Sequence, residues 1–194
     1  MKYTKTIIVI PARGGSKGIP RKNLTMVGGV SLVGRVGSIC NAMDWINNAV
    51  ISTDSQEIRE EASVYGLDGF FLRPDYLATD SATSQDVWRH ALEESETHYG
   101  QKYSISILLE PTSPLRTTQD IEETVMRVTK DGYDAAVTIS PTPSSYTPHK
   151  TLEVDSSGLV TFYREDGKKY LTRQEIPQYF HLNGICLAVY YPYV

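Results

Sequence analysis

Residues 6–23 read TIIVIPARGGSKGIPRKN, and the transition within this stretch decides the fold. Thr6 to Ile10 form an unbroken β-branched run, which is typical of a strand buried on both faces. The residues that follow are mainly glycines, prolines and cations, which predict a loop. In open α/β sheets, ligands bind beyond the carboxyl ends of the strands. The sequence therefore predicts a buried strand that leads into a cationic, glycine-rich loop at a binding site.

Strand and helix patterns alternate from this loop as far as Ile139. Apolar residues recur at spacings of three and four between Ser31 and Met43, which predicts a helix. Asp54 is predicted to cap the next helix. The other predicted segments are strands at 49–52, 69–72, 103–109 and 134–139, and helices at 54–65, 84–99 and 119–129. This alternation predicts an α/β fold, with a mostly parallel sheet that is covered by helices on both faces.

The pattern changes after Ser140, where three prolines lie within residues 141–148. Short strands are predicted at 152–154 and 159–163, and a further strand at about 183–190 returns to the main sheet. The organisation predicted from these patterns is a main α/β domain of residues 1–140 and 182–194, with an inserted β-rich arm of residues 141–181.

The composition limits the class of protein. The 194 residues are 40% hydrophobic, and a chain of this length can remove roughly 70% of its unfolded surface from water without disulfides. No apolar run is long enough for a membrane span or a signal peptide. Cys40 and Cys186 form neither a disulfide framework nor a zinc motif, and we expect buried free thiols. These features predict a soluble cytoplasmic protein with no membrane partner.

The charge is distributed unevenly along the chain. Residues 1–43 hold seven Lys or Arg and no acid, whereas the rest holds 12 cations and 23 acids, for a net charge of −4. A basic end of this kind attracts a small polyanion. Four of the seven cations lie within residues 13–22, and no aromatic residue lies among them. This pattern argues against a nucleic-acid partner.

The cationic loop has the groups that bind phosphate. Three glycines among residues 14–18 let the backbone approach a phosphate and direct amides toward it. Arg13 has a planar fork for phosphate oxygens, while Lys17 and Lys22 act as mobile charges. The spacing matches neither the P-loop nor the glycine fingerprint of dinucleotide-binding folds. The residues alone leave open which phosphate compound binds.

Residues 11–24, PARGGSKGIPRKNL, resemble the nucleotide-binding signature of the acylneuraminate cytidylyltransferases, the CMP-sialic acid synthetase family. Further blocks resemble this family in the same order: STD at 52–54, RP at 73–74 with LATDSATS at 77–84, LLEPTSPLR at 108–116, RQEIP at 173–177 and NG at 183–184. Together the blocks span nearly the whole chain. The resemblance implies a Rossmann-like nucleotidyltransferase fold, with residues 1–140 and 182–194 as the nucleotide-binding domain.

The resemblance also implies an activity. CMP would be transferred from CTP to the anomeric hydroxyl of a sialic-acid-like nonulosonic acid, with Mg²⁺ as cofactor and pyrophosphate as product. In such transfers the protein mainly positions groups and stabilises charge. Arg13 and Lys22 are implied as catalytic residues near the α-phosphorus. The implied nucleotide-binding residues are Arg13, Gly14, Gly15, Ser16, Lys17, Lys22, Asn23, Arg73 and Ser84.

The acceptor sugar acid needs a cation and several hydrogen-bonding groups. The residues that the resemblance implies for it are Glu110, Thr112, Ser113, Lys150, Arg173 and His181. Lys150 and Arg173 lie in the arm, which in this family mediates dimerisation and reaches over the partner's active site. The resemblance therefore implies a homodimer.

Three features depart from the family pattern. Glu110 stands where many sialic acid enzymes have Gln, and its carboxylate accepts hydrogen bonds and repels a sugar carboxylate. His181 stands where Arg is frequent. The family's acidic metal-binding segment has no counterpart after Asn183. We therefore expect a C-terminally shortened chain and assign no metal ligands.

Two alternatives remain open from the sequence. One is a CTP- or CMP-binding module without turnover, and the other is a nucleotidyltransferase for another sugar acid or a sugar phosphate. Among acceptors, neuraminic, legionaminic and pseudaminic acids rank above 3-deoxy-octulosonic acid, because residues 111–116 resemble the nonulosonate branch.

Overall fold

The structure is a computed structural model that describes residues 5–16 and 18–191. Within these residues the β-strands are β1 (Thr6–Pro11), β2 (Met26–Val27), β3 (Val30–Ser31), β4 (Asn48–Ser52), β5 (Ile105–Leu108), β6 (Ala135–Pro141), β7 (Leu152–Val154), β8 (Val160–Phe162) and β9 (Phe180–Tyr190). The α-helices in the same residues are α1 (Leu32–Asn41), α2 (Gln56–Val64), α3 (Ser84–Tyr99) and α4 (Thr118–Thr129). None of these helices is long and apolar enough to span a membrane.

The chain divides into two compact units. The first consists of Met1–Thr138 with Gly184–Val194 and contains all four of the α-helices named above. The second, Ile139–Asn183, contains β7 and β8. Nucleotide binding by residues 1–140 and 182–194 remains a prediction. Dimerisation through residues 141–181 also remains a prediction.

The large sheet has five strands in the order β4-β1-β5-β9-β6. β1 runs parallel to both of its neighbours, with Ile8 opposite Ala49 on one side and Ile107 on the other. β9 runs antiparallel to β5. The mostly parallel α/β sheet predicted from the sequence is confirmed. Because β4, β1 and β5 are parallel, their carboxyl ends lie at one edge, where a ligand site is expected.

Both faces of the sheet are covered by helices. Successive side chains of a strand point to opposite faces, so β1 contributes to two apolar clusters. Ile8 and Ile10 pack in one cluster with buried residues of α1, α2 and α4. Ile7 and Val9 pack in the other with Trp88 of α3. The apolar run in β1 is unbroken because both of its faces are buried.

Hydroxyl side chains cap the four α-helices of the described residues. At α2 the cap is Ser55, whose hydroxyl accepts a hydrogen bond from the Ile58 N–H at 3.4 Å. The predicted Asp54 cap is therefore wrong. Asp54 Oδ1 instead accepts a hydrogen bond from the Gly14 N–H at 2.8 Å. The carboxylate that precedes α2 thus anchors the cationic loop rather than the helix.

The strand predicted at 69–72 does not form. Asp68 makes an isolated parallel bridge to Val50 of β4, and the chain then leaves the ladder. Phe70 and Phe71 both pack against the apolar cluster of α3. Two consecutive side chains on the same cluster do not fit the alternation of a β-strand. The predicted strand at 69–72 is therefore wrong, because both rings are used to cover the cluster of α3.

In the second unit, β7 and β8 form an antiparallel pair, which confirms the short strands predicted there. Leu152 faces Phe162, and Val154 faces Val160. All four side chains are exposed by 38–67%. Because they occupy alternate positions, they lie on one face of the pair.

The two cysteines behave as the sequence predicts. Cys40 and Cys186 are buried and unpaired. Burial raises the pKa of each thiol to about 12. Both thiols are therefore protonated at neutral pH, and neither is a nucleophile.

Candidate active site

A cavity of about 560 Å³ lies at the edge of the sheet where β1 and β5 end. Its volume is within the range of small-molecule sites in proteins. Its wall includes Pro11 at the end of β1 and Pro111 shortly after β5. The predicted site residues that also line it are Arg13, Ser16, Lys22, Asn23, Arg73, Ser84, Glu110 and Thr112.

Three hydrogen bonds hold the cationic loop in place after β1. The Ala12 N–H donates to the Ser52 carbonyl at 2.9 Å, and the Gly14 N–H donates to Asp54 as described above. The Asn23 side-chain amide is buried and donates to the Arg13 carbonyl at 3.0 Å. These contacts fix the backbone of Ala12, Arg13 and Gly14 before any ligand binds, and they tie Asn23 to Arg13.

Gly14 is required by close packing at this point. A Cβ atom on Gly14 would lie 3.0 Å from the Cβ of Ser55. Since real Cβ contacts are seldom this close, a larger residue would move the loop away from the start of α2. Gly14 thus allows the loop to pack closely against the start of α2, and it does not line the cavity itself.

Arg13 carries the principal charge of the loop within the cavity. Its Nη1 lies 2.9 Å from Asp80 Oδ1 and 3.3 Å from the Thr79 carbonyl oxygen. Both partners of the ion pair are partly exposed, so water weakens the attraction between them. An anionic ligand can compete with Asp80 for the Arg13 guanidinium, because phosphate oxygens match its fork.

Lys22 adds a second cation to the same wall. It begins a short 3₁₀-helix, Lys22–Leu24, and its side chain is half-buried. Among residues 5–16 and 18–191, no acid lies within ion-pair distance of its ammonium group. This ammonium therefore adds positive charge to the cavity that no carboxylate in the described part of the chain neutralises.

Arg73 is the most buried cation of the cavity, with 6% of the residue exposed. Its Nε donates to Ser52 Oγ at 3.1 Å, and its two Nη atoms donate to the Ser52 and Leu77 carbonyls. Burial lowers the pKa of its guanidinium to about 10, so the group is still charged at neutral pH. The nearby Asp54 carboxylate partly offsets this shift in pKa. Within the part of the chain that the structure describes, the hydrogen-bond partners of the guanidinium are all neutral, so the group keeps a positive charge that favours an electronegative ligand.

Ser84 is the first residue of α3 and lies on the cavity wall. The hydroxyl of Thr83 caps this helix by accepting from the Asp86 N–H at 3.0 Å. The amino end of a helix carries a partial positive charge. Ser84 therefore adds a hydroxyl donor and acceptor to a wall that is already electropositive.

Glu110 and Thr112 form the wall that follows β5. The Thr112 hydroxyl donates to Glu110 Oε2 at 3.4 Å. Ser113 does not line the cavity, and its hydroxyl donates to the Gly184 carbonyl at 3.1 Å. The cavity thus has Arg13 and Lys22 on the side of the cationic loop and the Glu110 carboxylate on the side of β5.

The remaining predicted site residues lie elsewhere. Gly15 is exposed outside the cavity, and Lys17 lies outside the described residues. Lys150 and Arg173 belong to the second unit, where they line another cavity of about 300 Å³ with two serines. His181 is also in that unit, and its Nδ1 lies 3.0 Å from the Thr142 hydroxyl.

Two side chains at or near the cavity make contacts that the sequence does not indicate. Asp80 lies within the LATDSATS block before α3, and its carboxylate pairs with Arg13 at the cavity wall. Arg116 is the last residue of the LLEPTSPLR block. It is buried, and its guanidinium donates hydrogen bonds to three backbone carbonyls. The contact of Arg13 with Asp80 and that of Arg116 with Gly184 each join segments that are distant in sequence. No local sequence pattern indicates such contacts.

The described residues do not form a metal site by themselves. No group of three or more His, Cys, Asp or Glu side chains in residues 5–16 and 18–191 could hold a metal ion. Of the carboxylates that line the cavity, Asp80 is paired with Arg13 and Glu110 stands alone at the β5 wall. The Mg²⁺ cofactor therefore remains a prediction.

Comparison with known proteins relates this chain to several enzymes. Residues 7–187 match a family model described as cytidylyltransferase. An N-acylneuraminate cytidylyltransferase of Escherichia coli O18:K1:H7 is 34% identical over 183 residues, which cover 93% of this chain and 41% of that protein. A CMP-N,N'-diacetyllegionaminic acid synthase of Campylobacter jejuni is 31% identical over 180 residues, which cover 92% and 74%.

A solved structure shows the same fold. A CMP:2-keto-3-deoxy-manno-octonic acid synthetase in complex with CTP superposes with a TM-score of 0.67 at 18% identity, covering 96% of this chain and 74% of that one. The chain spans less than half of the length of the Escherichia coli relative. The predicted class, a nucleotidyltransferase, is confirmed at the level of the family. On the match over residues 7–187 and these relatives, the chain belongs to the cytidylyltransferase family.

Proposed function

We propose that the protein transfers CMP from CTP to the anomeric hydroxyl of a sialic-acid-like sugar acid and releases pyrophosphate. The observation that carries this proposal is the convergence of Arg13, Lys22 and Arg73 on one cavity at the carboxyl edge of the sheet. A triphosphate is the most highly charged group that a nucleotide offers. Three cations in one cavity, in a member of the cytidylyltransferase family, fit that group.

Arg13 and Lys22 are proposed to bind the phosphates next to the reacting phosphorus. When CTP enters, Arg13 exchanges the Asp80 carboxylate for phosphate oxygens, which its planar fork can bind through two N–H groups. Lys22 needs no such exchange within the described residues. Both cations then stabilise the negative charge that develops at the α-phosphate in the transition state.

In the proposed step, the acceptor's anomeric oxygen attacks the α-phosphorus. The bond between this phosphorus and the oxygen that bridges to the β-phosphate breaks, and pyrophosphate leaves. The new bond joins the sugar to CMP, and the hydroxyl proton is released. The protein contributes by holding the two reactants in line, which is the main source of catalysis in such transfers.

Asn23, Arg73 and Ser84 are proposed to bind the cytidine portion. Asn23 and Arg73 are held by hydrogen bonds to the backbone around β1 and β4, so their polar groups are fixed before the nucleotide arrives. Ser84 adds a hydroxyl from the first turn of α3. Pre-fixed polar groups lower the entropic cost of binding and favour one base over another.

The wall of Glu110 and Thr112 is proposed to face the acceptor, with Ser113 supporting it. Its carboxylate favours an acceptor that presents hydroxyl or amide donors there. Lys150, Arg173 and His181 are proposed to complete acceptor binding from the arm of a second copy, where Lys150 and Arg173 share one cavity. The charges of Lys150 and Arg173 would offset the carboxylate of the sugar acid.

A pyrophosphate-release assay tests this proposal. The wild-type protein is supplied with CTP, Mg²⁺ and one of four acceptors: N-acetylneuraminic, legionaminic, pseudaminic or 3-deoxy-octulosonic acid. We expect release only when CTP and an acceptor are both present, with a nonulosonic acid as the best acceptor. Omission of the acceptor is the matched control, since the sugar hydroxyl is the nucleophile.

Two other results have defined meanings. If CTP binds but no acceptor gives pyrophosphate, the chain acts as a nucleotide-binding module and the proposed turnover is wrong. If UTP with a sugar 1-phosphate gives faster release than CTP with any sugar acid, the protein is a different nucleotidyltransferase.

We also propose that the protein is a homodimer that pairs through the β7–β8 face. This face consists of Leu152, Val154, Val160 and Phe162, all of them substantially exposed. A two-stranded sheet is marginally stable alone, and an exposed cluster of apolar residues marks an interaction surface. A second copy is the occupant we propose, because the resemblance described above makes this segment a dimerisation arm.

Sedimentation velocity tests the homodimer with a matched pair of variants. Val154→Lys places a charge on the apolar face, whereas Glu153→Lys places the same side chain on the opposite face of the same strand. We expect the wild type and Glu153→Lys to sediment as dimers and Val154→Lys as a monomer. A monomeric wild type, or two variants that sediment alike, would rule out pairing through this face.

A further inference from the structure

The guanidinium of Arg116 is buried and donates hydrogen bonds to the backbone. The residue is 4% exposed. Its Nη2 donates to the carbonyls of Glu110 at 2.7 Å and Gly184 at 3.2 Å, and its Nε donates to the carbonyl of Ile185. All three acceptors are backbone oxygens, and burial lowers the pKa of the group. A charged side chain is costly to bury, so a structural role is expected for Arg116.

Arg116 lies where β5 and β9 separate from each other. Their antiparallel ladder ends where Leu108 faces Leu187. Beyond this pair, the chain after β5 turns into the cavity wall, while Gly184 takes a φ of +69°, which interrupts regular strand geometry. The Glu110 carbonyl lies on one side of the opening and the Gly184 and Ile185 carbonyls on the other. The Arg116 side chain replaces the missing ladder bonds between them.

This junction also sets the position of the Glu110 side chain. A Cβ atom on Gly184 would lie 3.2 Å from Glu110 Oε2, so the backbone at Gly184 packs directly beside the carboxylate. The Thr112 hydroxyl donates to the same carboxylate oxygen, Oε2. The loop itself is closed by the Arg116 N–H, which donates to the Ser113 carbonyl at 3.2 Å. Arg116 therefore fixes both the backbone that carries Glu110 and the surface against which it rests.

We infer that Arg116 is a positioning residue that holds the Glu110–Thr112 wall of the cavity in the geometry that receives the acceptor. The inference rests on the proposed function for the identity of the acceptor, and on the hydrogen bonds above for the anchoring itself. Arg116 does not line the cavity, so it acts through Glu110 and Thr112. A displacement of about 1 Å in such a wall can cost on the order of 10²-fold in rate.

The conservative variant Arg116→Lys tests this role, because an ammonium keeps the charge but cannot bridge three carbonyls with a planar fork. We expect kcat/KM for the acceptor to fall about 10–100-fold, while the KM for CTP stays within about threefold. Gly184→Ala disturbs the same junction from the other strand and is expected to shift acceptor kinetics in the same direction. Because Gly184→Ala leaves Arg116 intact, it can be used to test the junction if Arg116→Lys folds poorly.

Tyr103→Phe is the matched control for a merely structural effect. Tyr103 is buried just before β5, at the end of the strand away from the cavity, and its hydroxyl donates to Asn48 Oδ1 at 2.7 Å. Its loss removes a buried hydrogen bond without touching the Glu110 wall. We expect this variant to melt at a lower temperature with unchanged acceptor kinetics. If it changes the acceptor KM as much as Arg116→Lys does, the positioning role is wrong.

Hydrogen exchange separates failure of this inference from failure of the proposed function. In Arg116→Lys, amides of residues 110–117 and 184–186 are expected to exchange faster than in the wild type, whereas amides of α3 are unchanged. A wild type that releases no pyrophosphate with any acceptor would overturn the proposed function, but the exchange experiment would still test the anchor. Unchanged exchange at 110–117, or an equal loss in CTP and acceptor parameters, would overturn the role of Arg116.

Discussion

Replacing Arg13 by alanine is expected to lower the rate of pyrophosphate release on the order of 10²–10³-fold, the usual cost of losing one preorganised donor to transition-state charge. The variant also removes the Arg13 guanidinium from beside the Asp80 carboxylate, so the negative charge at this wall of the cavity is no longer offset by Arg13. The double variant Arg13→Ala/Asp80→Asn is expected to recover part of the loss, because it removes that repulsion. Steady-state rates at saturating CTP measure both effects.

Arg21→Ala is the matched control for Arg13→Ala. Arg21 lies in the same loop, but it is exposed, pairs with Glu57 and does not line the cavity. An exposed ion pair of this kind contributes little, so we expect the rate to change less than about threefold. If both variants lose the same activity, the loop acts through its overall charge, and the specific role of Arg13 is wrong.

Replacing Arg73 by methionine is expected to destabilise the protein and abolish its stabilisation by CTP. Methionine fills a similar volume but leaves the Leu77 carbonyl without its Arg73 donor, at a cost of about 1–3 kcal/mol for an unsatisfied buried group. The Ser52 carbonyl also loses its Arg73 donor, but it still accepts from the Ala12 N–H. The free energy of unfolding from urea titration measures this loss. The shift in melting temperature on adding CTP measures the loss of binding.

Arg35→Met provides the comparison for Arg73→Met. Arg35 is half-buried and donates to the Val27 carbonyl through Nε and Nη2, but it lies outside the cavity wall. We expect some loss of stability and an unchanged response to CTP. A variant Arg73→Met that is stabilised by CTP as strongly as the wild type would show that Arg73 supports the fold alone.

Much of the central fold could be predicted because its determinants are local. The unbroken apolar run at 7–10 reports burial on two faces, and the spacing of three and four in α1 reports burial on one. The error at 69–72 arose where tertiary packing overrode a local signal. Phe70 and Phe71 have high strand propensity, yet their rings are used to cover α3. The choice of Asp54 over Ser55 as a cap failed for a similar reason, since Gly14 binds that carboxylate.

The candidate site was predictable where one motif supplied the chemistry. Arg13, Lys22 and Asn23 lie in one loop that follows one strand, so their proximity follows from topology. The pairing of Arg13 with Asp80 spans 67 positions, and the contact of Arg116 with Gly184 spans 68. Such contacts depend on how loops from different strands meet at the sheet edge, and no periodicity in the sequence encodes that meeting. The burial of Arg73 depends in the same way on distant contacts, because its guanidinium donates to Ser52 at the end of β4.

The most direct test of the central claim, that this cavity binds CTP, is a thermal-shift titration of the wild-type protein with CTP, UTP, GTP and ATP. A ligand that binds the folded state stabilises it by about 2.7 kcal/mol at a concentration of 100 Kd. We expect CTP to raise the melting temperature in a concentration-dependent manner and the other three nucleotides to leave it nearly unchanged. Equal stabilisation by UTP would contradict the claim.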